Sequence, residues 1–418
     1  MKRNYCILAA VMVLACMAGA EYAGAQSHEH LKVAFVGDPQ VDDSVELGYA
    51  RNSIYKELRQ RDDIDFAIIL GDLVNDSMDL MGPSKESLDS LPYPWFLVPG
   101  NHDFDVYNGR KAKVRQPGRN RDLVTYKSLF GGPDTTFVAA GIRFILMNDM
   151  IFDGAEYGGG FDTAQLEYLD SVVNCSRGER LLVLATHIPY SHMKDREAAD
   201  SLLSEYPGEI LFVSGHTHRV RRGDVTLSSG KSFPELVAGA TCGSWWRGRK
   251  DEHGIPYALQ NCGAPRGYFI ADFRRKGYDV EYKCVGKDSD FQSSAWTVQT
   301  DSCKRLVVNV FGGAEDGNVK VKAKGLADSR WTALEMKGEM APEVIEVINE
   351  RDAMSKKERR ARRSEIIPLT RARSPHVWSV EIPDDATLEK VRIRYSDPFM
   401  SFRSTVAVRQ LALPAPKE

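Results

Sequence analysis

Apolar residues fall into short unbroken runs over the first two thirds of the chain and into alternating runs afterwards. Leu31–Gly37 (LKVAFVG) predicts a buried strand, ended by Asp38-Pro39. A helical pattern follows around Val45 to Arg61. Ile64–Leu70 (IDFAIIL) predicts a second strand, ended by Gly71-Asp72, and Trp95–Val98 a third, ended by Pro99-Gly100. Phe144–Met147 reads as another strand, with Val138 to Arg143 as its hairpin partner. Asp162 to Gln165 forms a capping-box pattern ahead of Leu166, Leu169, Val172 and Val173, which recur at helical spacing. Leu181–Leu184 and Ile210–Val213 complete the set. Continuous apolar strands alternating with helices imply a layered α/β core.

The character changes at Arg266. Gly267 to Cys284 alternates apolar and polar residues around Lys276-Gly277, a hairpin pattern. Beyond about Asp288 come short strand-like runs, Leu306–Phe311, Val319–Ala323, Val377–Ile382 and Val391–Tyr395, without the helical rhythm. These predict a separate small all-β sandwich. The domain reading is residues 1–25 as a signal peptide, 26–287 as an α/β catalytic domain and 288–418 as a C-terminal β-sandwich domain.

Composition adds limits. A chain of 418 residues exceeds what one core usually supports. A formal net charge of −3 gives no reason to expect a nucleic-acid or membrane partner for the whole chain, and no DNA-binding element is recognisable. Lys2 and Arg3, the apolar stretch Tyr5–Ala18 and the small residues after it follow the order of a secretory signal. Ala23-Gly24-Ala25 before Gln26 fits peptidase cleavage. Val13–Cys16 resembles a lipobox, which would leave Cys16 lipid-anchored, although Leu14 fits that pattern weakly. The expected location is therefore periplasmic or cell-surface, with no transmembrane segment. Cys175, Cys242, Cys262, Cys284 and Cys303 form no C-x-x-C pair, which argues against a zinc ribbon. A Cys242–Cys262 disulfide and buried free thiols both remain open.

Polar motifs sit just past five of the strand ends: Gly37-Asp38-Pro39-Gln40, Gly71-Asp72-Leu73-Val74-Asn75-Asp76, Gly100-Asn101-His102-Asp103, Thr186-His187 and Gly215-His216-Thr217-His218. That is where α/β sheets place ligands. In an extended segment residues i and i+2 point the same way, so Asp38 with Gln40, and His216 with His218, can share a centre. Imidazole and carboxylate without thiolate suit Fe, Mn or Zn better than Ca or Cu(I). His28, His30, His253 and His376 lie outside the motifs and read as ordinary. His192 lies near His187 and reads as a surface residue.

The ordered set, over roughly residues 31 to 285, resembles the calcineurin-like metallophosphoesterase superfamily. The resemblance implies a four-layer α/β/β/α sandwich and hydrolysis of a phosphate ester, monoester or diester, with two metal ions at the strand ends. It implies that Asp38, Gln40 and His218 hold one metal, that Asn101, His187 and His216 hold the other, that Asp72 bridges them and that His102 faces the substrate. Two positions depart from the usual pattern. Gln40 stands where the superfamily usually has His, so one site is expected to bind its metal more weakly; the alternative function is a weakened phosphate-ligand binding module. Several branches have an acid three residues after the bridging Asp, where this chain has Asn75 with Asp76 next to it, and either one can support His102.

Gly243–Gly248 (GSWWRG), Asp251, Gly254, Pro256 and Gly263–Tyr268 form a second signature. With Val391–Phe399 it resembles exported bacterial phosphoesterases that carry a dedicated C-terminal β-domain. Relatives of that kind usually have an N-terminal β-domain too, for which the residues before Leu31 leave no room. Trp245 and Trp246 are candidates for the substrate cleft or the core, and Arg266 for an anion ligand or the surface. The basic run Lys356–Arg363 reads as a solvated helix face or loop before a lipid- or polysaccharide-binding patch.

Overall fold

The structure is a computed structural model that describes residues 30–106, 121–153, 156–300, 302–326 and 330–411. The signal-peptide, lipobox and His28 readings lie outside the described residues. Among the described residues, no helix is long and apolar enough to cross a membrane.

Two sheets face each other. The first has five strands in the order Tyr278–Cys284, Gly267–Arg274, His30–Val36, Phe66–Ile69, Trp95–Leu97. The last three run parallel, and Gly267–Arg274 pairs antiparallel with His30–Val36. The second has six, in the order Val220–Thr226, Ser232–Ala238, Glu209–Ser214, Leu181–Ala185, Ile142–Leu146, Thr135–Ala139. Strands buried on both faces need apolar residues at every position, which is why the central runs are unbroken. One face of each sheet packs on the other through Val33, Phe35, Phe66, Ile68, Phe144, Leu146, Val183 and Leu211. Phe96, Phe137 and Phe144 stack in this layer, with centroids 4.2 and 5.2 Å apart.

Helices cover the outer faces and complete the four-layer α/β/β/α sandwich. Ser44–Asn52, Ile54–Arg59 and Met81–Asp89 cover the first sheet, with Leu47, Tyr55 and Leu88 buried there. The pattern expected to be one helix over 45–61 breaks at Ser53, whose φ of −120° and ψ of −91° are not helical. Thr163–Cys175 and Glu197–Ser204 cover the second sheet. The capping box forms as expected: the Asp162 carboxylate accepts from the Gln165 N–H, and the Gln165 side chain accepts from the Asp162 N–H.

The C-terminal region is β-rich. Its eight-stranded sheet is ordered Thr332–Ala333, Asn318–Lys322, Lys390–Ser396, Ser401–Leu411, Ser293–Gln299, Lys304–Val310, Val377–Ile382, Glu335–Met336. Ser401–Leu411 changes partner along its length. Residues 401–407 pair antiparallel with Lys390–Ser396, and Val408–Leu411 pairs parallel with Ala295–Val298. A strand shared in this way lets the two halves enclose one core containing Leu306, Val308, Val321, Trp378, Val391 and Ile393. The all-β expectation leaves out two helices. Pro342–Ala353 buries Val344 and Ile348, whereas Lys356–Ala361 has no buried residue. The basic run is thus a solvated helix capped by Ser355.

The two parts are tied by a buried ion pair, Arg222 Nη1 to Asp397 Oδ2 at 2.7 Å, and by stacking of Tyr278 on Phe399 at 4.7 Å. All five described cysteines are free thiols, and Cys242, Cys262 and Cys284 are buried, so the Cys242–Cys262 disulfide is not formed.

Candidate metal centre

Each of the five motifs emerges from the C-terminal end of its strand. The backbone there is unusual. Among the described residues, eleven non-glycine residues have positive φ, and eight of them are Asp38, Gln40, Asp72, Asp76, His216, His218, Trp245 and Trp246. Each left-handed residue costs about 1–2 kcal/mol, so the concentration marks a place where side-chain aim outweighs local comfort. This corrects the expected geometry. Asp38, Gln40, His216 and His218 are not in extended backbone; turns aim their side chains.

Asp72, His187 and His216 offer ligand atoms that lie within 4.8 Å of one another. His187 Nδ1 donates to the Leu70 carbonyl at 2.8 Å, which leaves Nε2 facing inward. That Nε2 lies 3.1 Å from Asn101 Oδ1, 3.1 Å from His216 Nδ1 and 3.5 Å from Asp72 Oδ2. On the other side, His218 Nδ1 donates to the Gly243 carbonyl at 2.7 Å, and its Nε2 is 3.9 Å from Asp38 Oδ1. The His216 N–H donates to Asp38 Oδ2 at 3.0 Å. Gln40 turns its amide nitrogen toward Asp72 Oδ2 and Asn75 Oδ1, each at 3.4 Å, and its oxygen toward the Cys242 thiol at 3.8 Å. Asp72 therefore touches both groups, and Gln40 meets it as a donor.

His102 stands at the rim with its side chain 29% exposed. Its N–H donates to Asp72 Oδ1 at 2.9 Å, and its Nδ1 lies 2.9 Å from Asp76 Oδ1. Asp76, not Asn75, thus supports the ring and leaves Nε2 for substrate. Burial disfavours the imidazolium, but Asp72 and Asp76 outweigh it and raise the His102 pKa.

Two buried acids carry weight that the sequence reading did not assign. Asp103 accepts from the Gly100 N–H at 2.9 Å and the Val74 N–H at 3.2 Å, joining the second and third motif loops. Asp149 accepts from the His187 N–H at 3.1 Å and the Ile188 N–H at 2.9 Å. Burial pushes each carboxyl up to about 7. Asp149 lies just beyond the strand Ile142–Leu146. An acid past a strand end was the signal that found the other motifs, and it applied here as well.

The donor set fits a metal. Asp38, Asp72, Asp103 and Asp149 are all buried, and among the described residues none has a Lys or Arg at ion-pair distance. Among the described residues, the cationic groups at ion-pair distance from Asp38 and Asp72 are histidines. His187 is opposed by burial but raised to about 10 by Asp72, Asp38 and Asp149. Buried carboxylates need compensating positive charge, and bound cations supply it without protonating the ring.

Two aromatic rings flank the centre. Trp245, 36% exposed, stacks on His218 at 4.7 Å and 29°. Tyr157 meets His216 edge-on at 5.9 Å. Trp246 instead packs in the core and donates through Nε1 to the Pro39 carbonyl at 2.9 Å. Arg266 is buried against it, 5.0 Å from the ring centre, so it is not a surface residue. His30 pairs with Asp272, His253 and His192 are exposed, and His376 is buried beside Asn309.

Residues 31–220 match the family model for calcineurin-like phosphoesterase, and residues 235–401 match the model for the C terminal of calcineurin-like phosphoesterase. The second match contains both the Gly243–Tyr268 signature and the Val391–Phe399 run. No curated protein matches the chain. Among solved structures, a β-glucosidase from Listeria innocua in complex with isofagomine aligns at 8% identity, with 59% of this chain, 39% of that chain and a TM-score of 0.15. The first four immunoglobulin domains of Sidekick-1 align at 7% identity, with 49% of this chain, 50% of that chain and a TM-score of 0.13. Scores this low carry no argument about the fold. Members of the matched family usually bind divalent metals and hydrolyse phosphoesters, and the strand-end ligand set described above is compatible with both. Two consecutive matches that meet on one sandwich and its β-rich extension place this chain in the calcineurin-like metallophosphoesterase superfamily, with that family's C-terminal domain.

Proposed function

We propose that the protein hydrolyses a phosphate monoester or diester outside the cytoplasm, using two metal ions drawn from Fe, Mn or Zn. The observation that carries this reading is the convergence of Asp72, His187 and His216 within 4.8 Å beside a rim histidine held by an acid. Asn101, His187 and His216 would hold one ion, Asp38, Gln40 and His218 the other, with Asp72 between them. Ions bound there supply an activated water and positive charge against the phosphoryl oxygens.

The chain's own residues do the rest. His102, fixed through Nδ1 by Asp76, offers Nε2 to the leaving oxygen as a proton donor. Asp149 and Asp103 hold the loops that carry His187 and Asn101 by accepting their backbone N–H groups. Trp245 and Tyr157 shield the centre from bulk water on two sides and offer apolar surface to the alcohol part of the ester.

A second reading, a phosphate-ligand binding module with one weakened metal site, draws on Gln40, whose amide nitrogen faces Asp72. Metal analysis joined to hydrolysis of para-nitrophenyl phosphate and its bis-ester separates the two. The enzyme reading expects bound metal and turnover, with His102→Ala lowering kcat by about 10²–10⁴ while metal content holds. Absence of both metal and turnover after addition of Mn, Fe or Zn would sink it.

A further inference from the structure

Arg266 is 7% exposed, and its guanidinium has few partners for a buried cation. One face lies against the Trp246 ring, 5.0 Å from its centre. A guanidinium carries five N–H donors in one plane. Among the described residues, one hydrogen bond uses them, from Nη1 to the Ser53 hydroxyl at 3.3 Å, and no carboxylate lies at ion-pair distance. Asp251 favours the charged form from further away, yet burial outweighs it and lowers the Arg266 pKa. A buried charge that lacks a close counter-charge is costly.

Arg266 lines a cavity of about 260 Å³ bounded by the helix Ile54–Arg59, by residues 251–257 and by residues 285–291. The exposed Lys56 and Lys287 also line it. Three acids share the lining. Glu57 is already engaged: it pairs with Lys283 at 3.0 Å and accepts from the Tyr268 hydroxyl and the Gly286 N–H. Asp251 turns Oδ1 to the N–H groups of His253 and Ile255, and Glu252 is exposed. Among the described residues, Arg266, Lys56 and Lys287 thus stand unpaired against Asp251 and Glu252, which leaves the lining positive on balance. Ile255 and Phe291 add apolar surface. None of the candidate metal ligands lines this cavity, nor does His102, so it is separate from the metal centre. It lies behind the loop Gly243–Gly248, where a Cβ on Gly243 would come 2.9 Å from Arg266 Cγ.

We propose that this cavity is a binding site for a small organic anion. Its carboxylate or phosphate oxygens would accept from the free N–H groups of Arg266, and its hydrocarbon part would lie against Ile255 and Phe291. Guanidinium forks match the oxygens of either group in pairs. The proposal does not depend on the phosphoesterase reading.

Calorimetric titration of the metal-loaded protein with benzoate, set against its uncharged analogue benzamide, tests it. Wild type is expected to bind benzoate saturably and about tenfold more tightly than benzamide, which is about 1.4 kcal/mol. Arg266→Met is expected to bring the two ligands level, with Arg266→Lys retaining part of the preference. Equal binding of the two ligands by wild type, or a preference that survives Arg266→Met, overturns the site. The preference is also expected to persist after the metals are chelated; its loss on chelation would assign the binding to the metal centre and overturn the proposal as well. Should Arg266→Met fail to fold, the exposed pair decides instead. Lys56→Glu/Lys287→Glu is expected to keep the thermal midpoint and weaken benzoate by about fivefold, and an unchanged affinity overturns the site. Inorganic phosphate titrated into the chelated protein tells the two anion classes apart, and if neither anion binds there is no site.

Discussion

Among single residues, Gln40 and Asp76 set this centre apart. An amide is an uncharged ligand, and in this structure it donates to the carboxylate between the two groups. Gln40→His would exchange that donor for an imidazole of the kind that binds these metals strongly. Elemental analysis of the purified variant is expected to show metal per chain rising over wild type; an unchanged ratio would mean that Gln40 already serves the site fully. Asp76 acts through His102. Asp76→Asn keeps the size and loses the charge, and is expected to lower kcat about tenfold with little change in KM, because it alters the ring's tautomer and basicity rather than substrate contacts. Equal losses in both parameters would speak for a disturbed loop instead. The seven candidate ligand positions and His102 were legible as a group because each is a polar residue where an apolar run stops. The choice between Asn75 and Asp76 was not, since a positive φ of 61° at Asp76 turns its side chain toward His102.

Between residues and the whole lie the strand-to-loop turns. Gly100 shows how tightly they are packed. A Cβ there would come within 2.2 Å of Asp72 Oδ1 and 2.3 Å of the Asp72 backbone nitrogen, and one on Gly71 would fall 2.4 Å from His187 Nδ1. Gly100→Ala must therefore push the second motif away from the third. It is expected to lower the thermal midpoint and remove metal binding together, which differential scanning calorimetry with and without added Mn can read; a variant that still gains stability from Mn would contradict this. Strand runs were readable because buried strands leave no room for polar residues. Val220–Thr226 was missed because Arg221, Arg222, Gly223 and Asp224 interrupt it, yet it sits at a sheet edge where such residues have partners. Pro342–Ala353 was missed because Val344, Ile345, Val347 and Ile348 are β-branched and read as strand formers. Packing of Val344 and Ile348 overrides that preference, helped by Pro342 at the start of the helix.

Across the whole molecule, Arg222 and Asp397 join the sandwich to the C-terminal sheet. Burial opposes ionisation of Asp397, but the Arg222 pair outweighs it and holds the carboxyl below its ordinary value. A carboxyl whose pKa is lowered on folding stabilises the protein above its unfolded value and loses that contribution as pH falls through the folded one. Stability is thus expected to fall off on the acid side, below the ordinary carboxylate range. Asp397→Asn leaves Arg222 buried without a counter-charge and is expected to cost about 3–5 kcal/mol near neutral pH. The variant should also show less of the acid decline, and chemical denaturation at several pH values checks both. A parallel shift of the whole pH curve would place the acid sensitivity elsewhere.

Ser401–Leu411 carries a consequence for the order in which the molecule can assemble. It is late in the chain yet central in its sheet, lying between Lys390–Ser396 and Ser293–Gln299. Until it arrives, both neighbours present open strand edges, and the eight strands exist only as two separate halves. Contacts between residues more than a hundred positions apart close last. A growing chain therefore holds an unfinished, edge-exposed C-terminal sheet from the time Ser293–Gln299 is made until Ser401–Leu411 arrives, and chains cut off before Ser401 would leave those edges free to pair with one another.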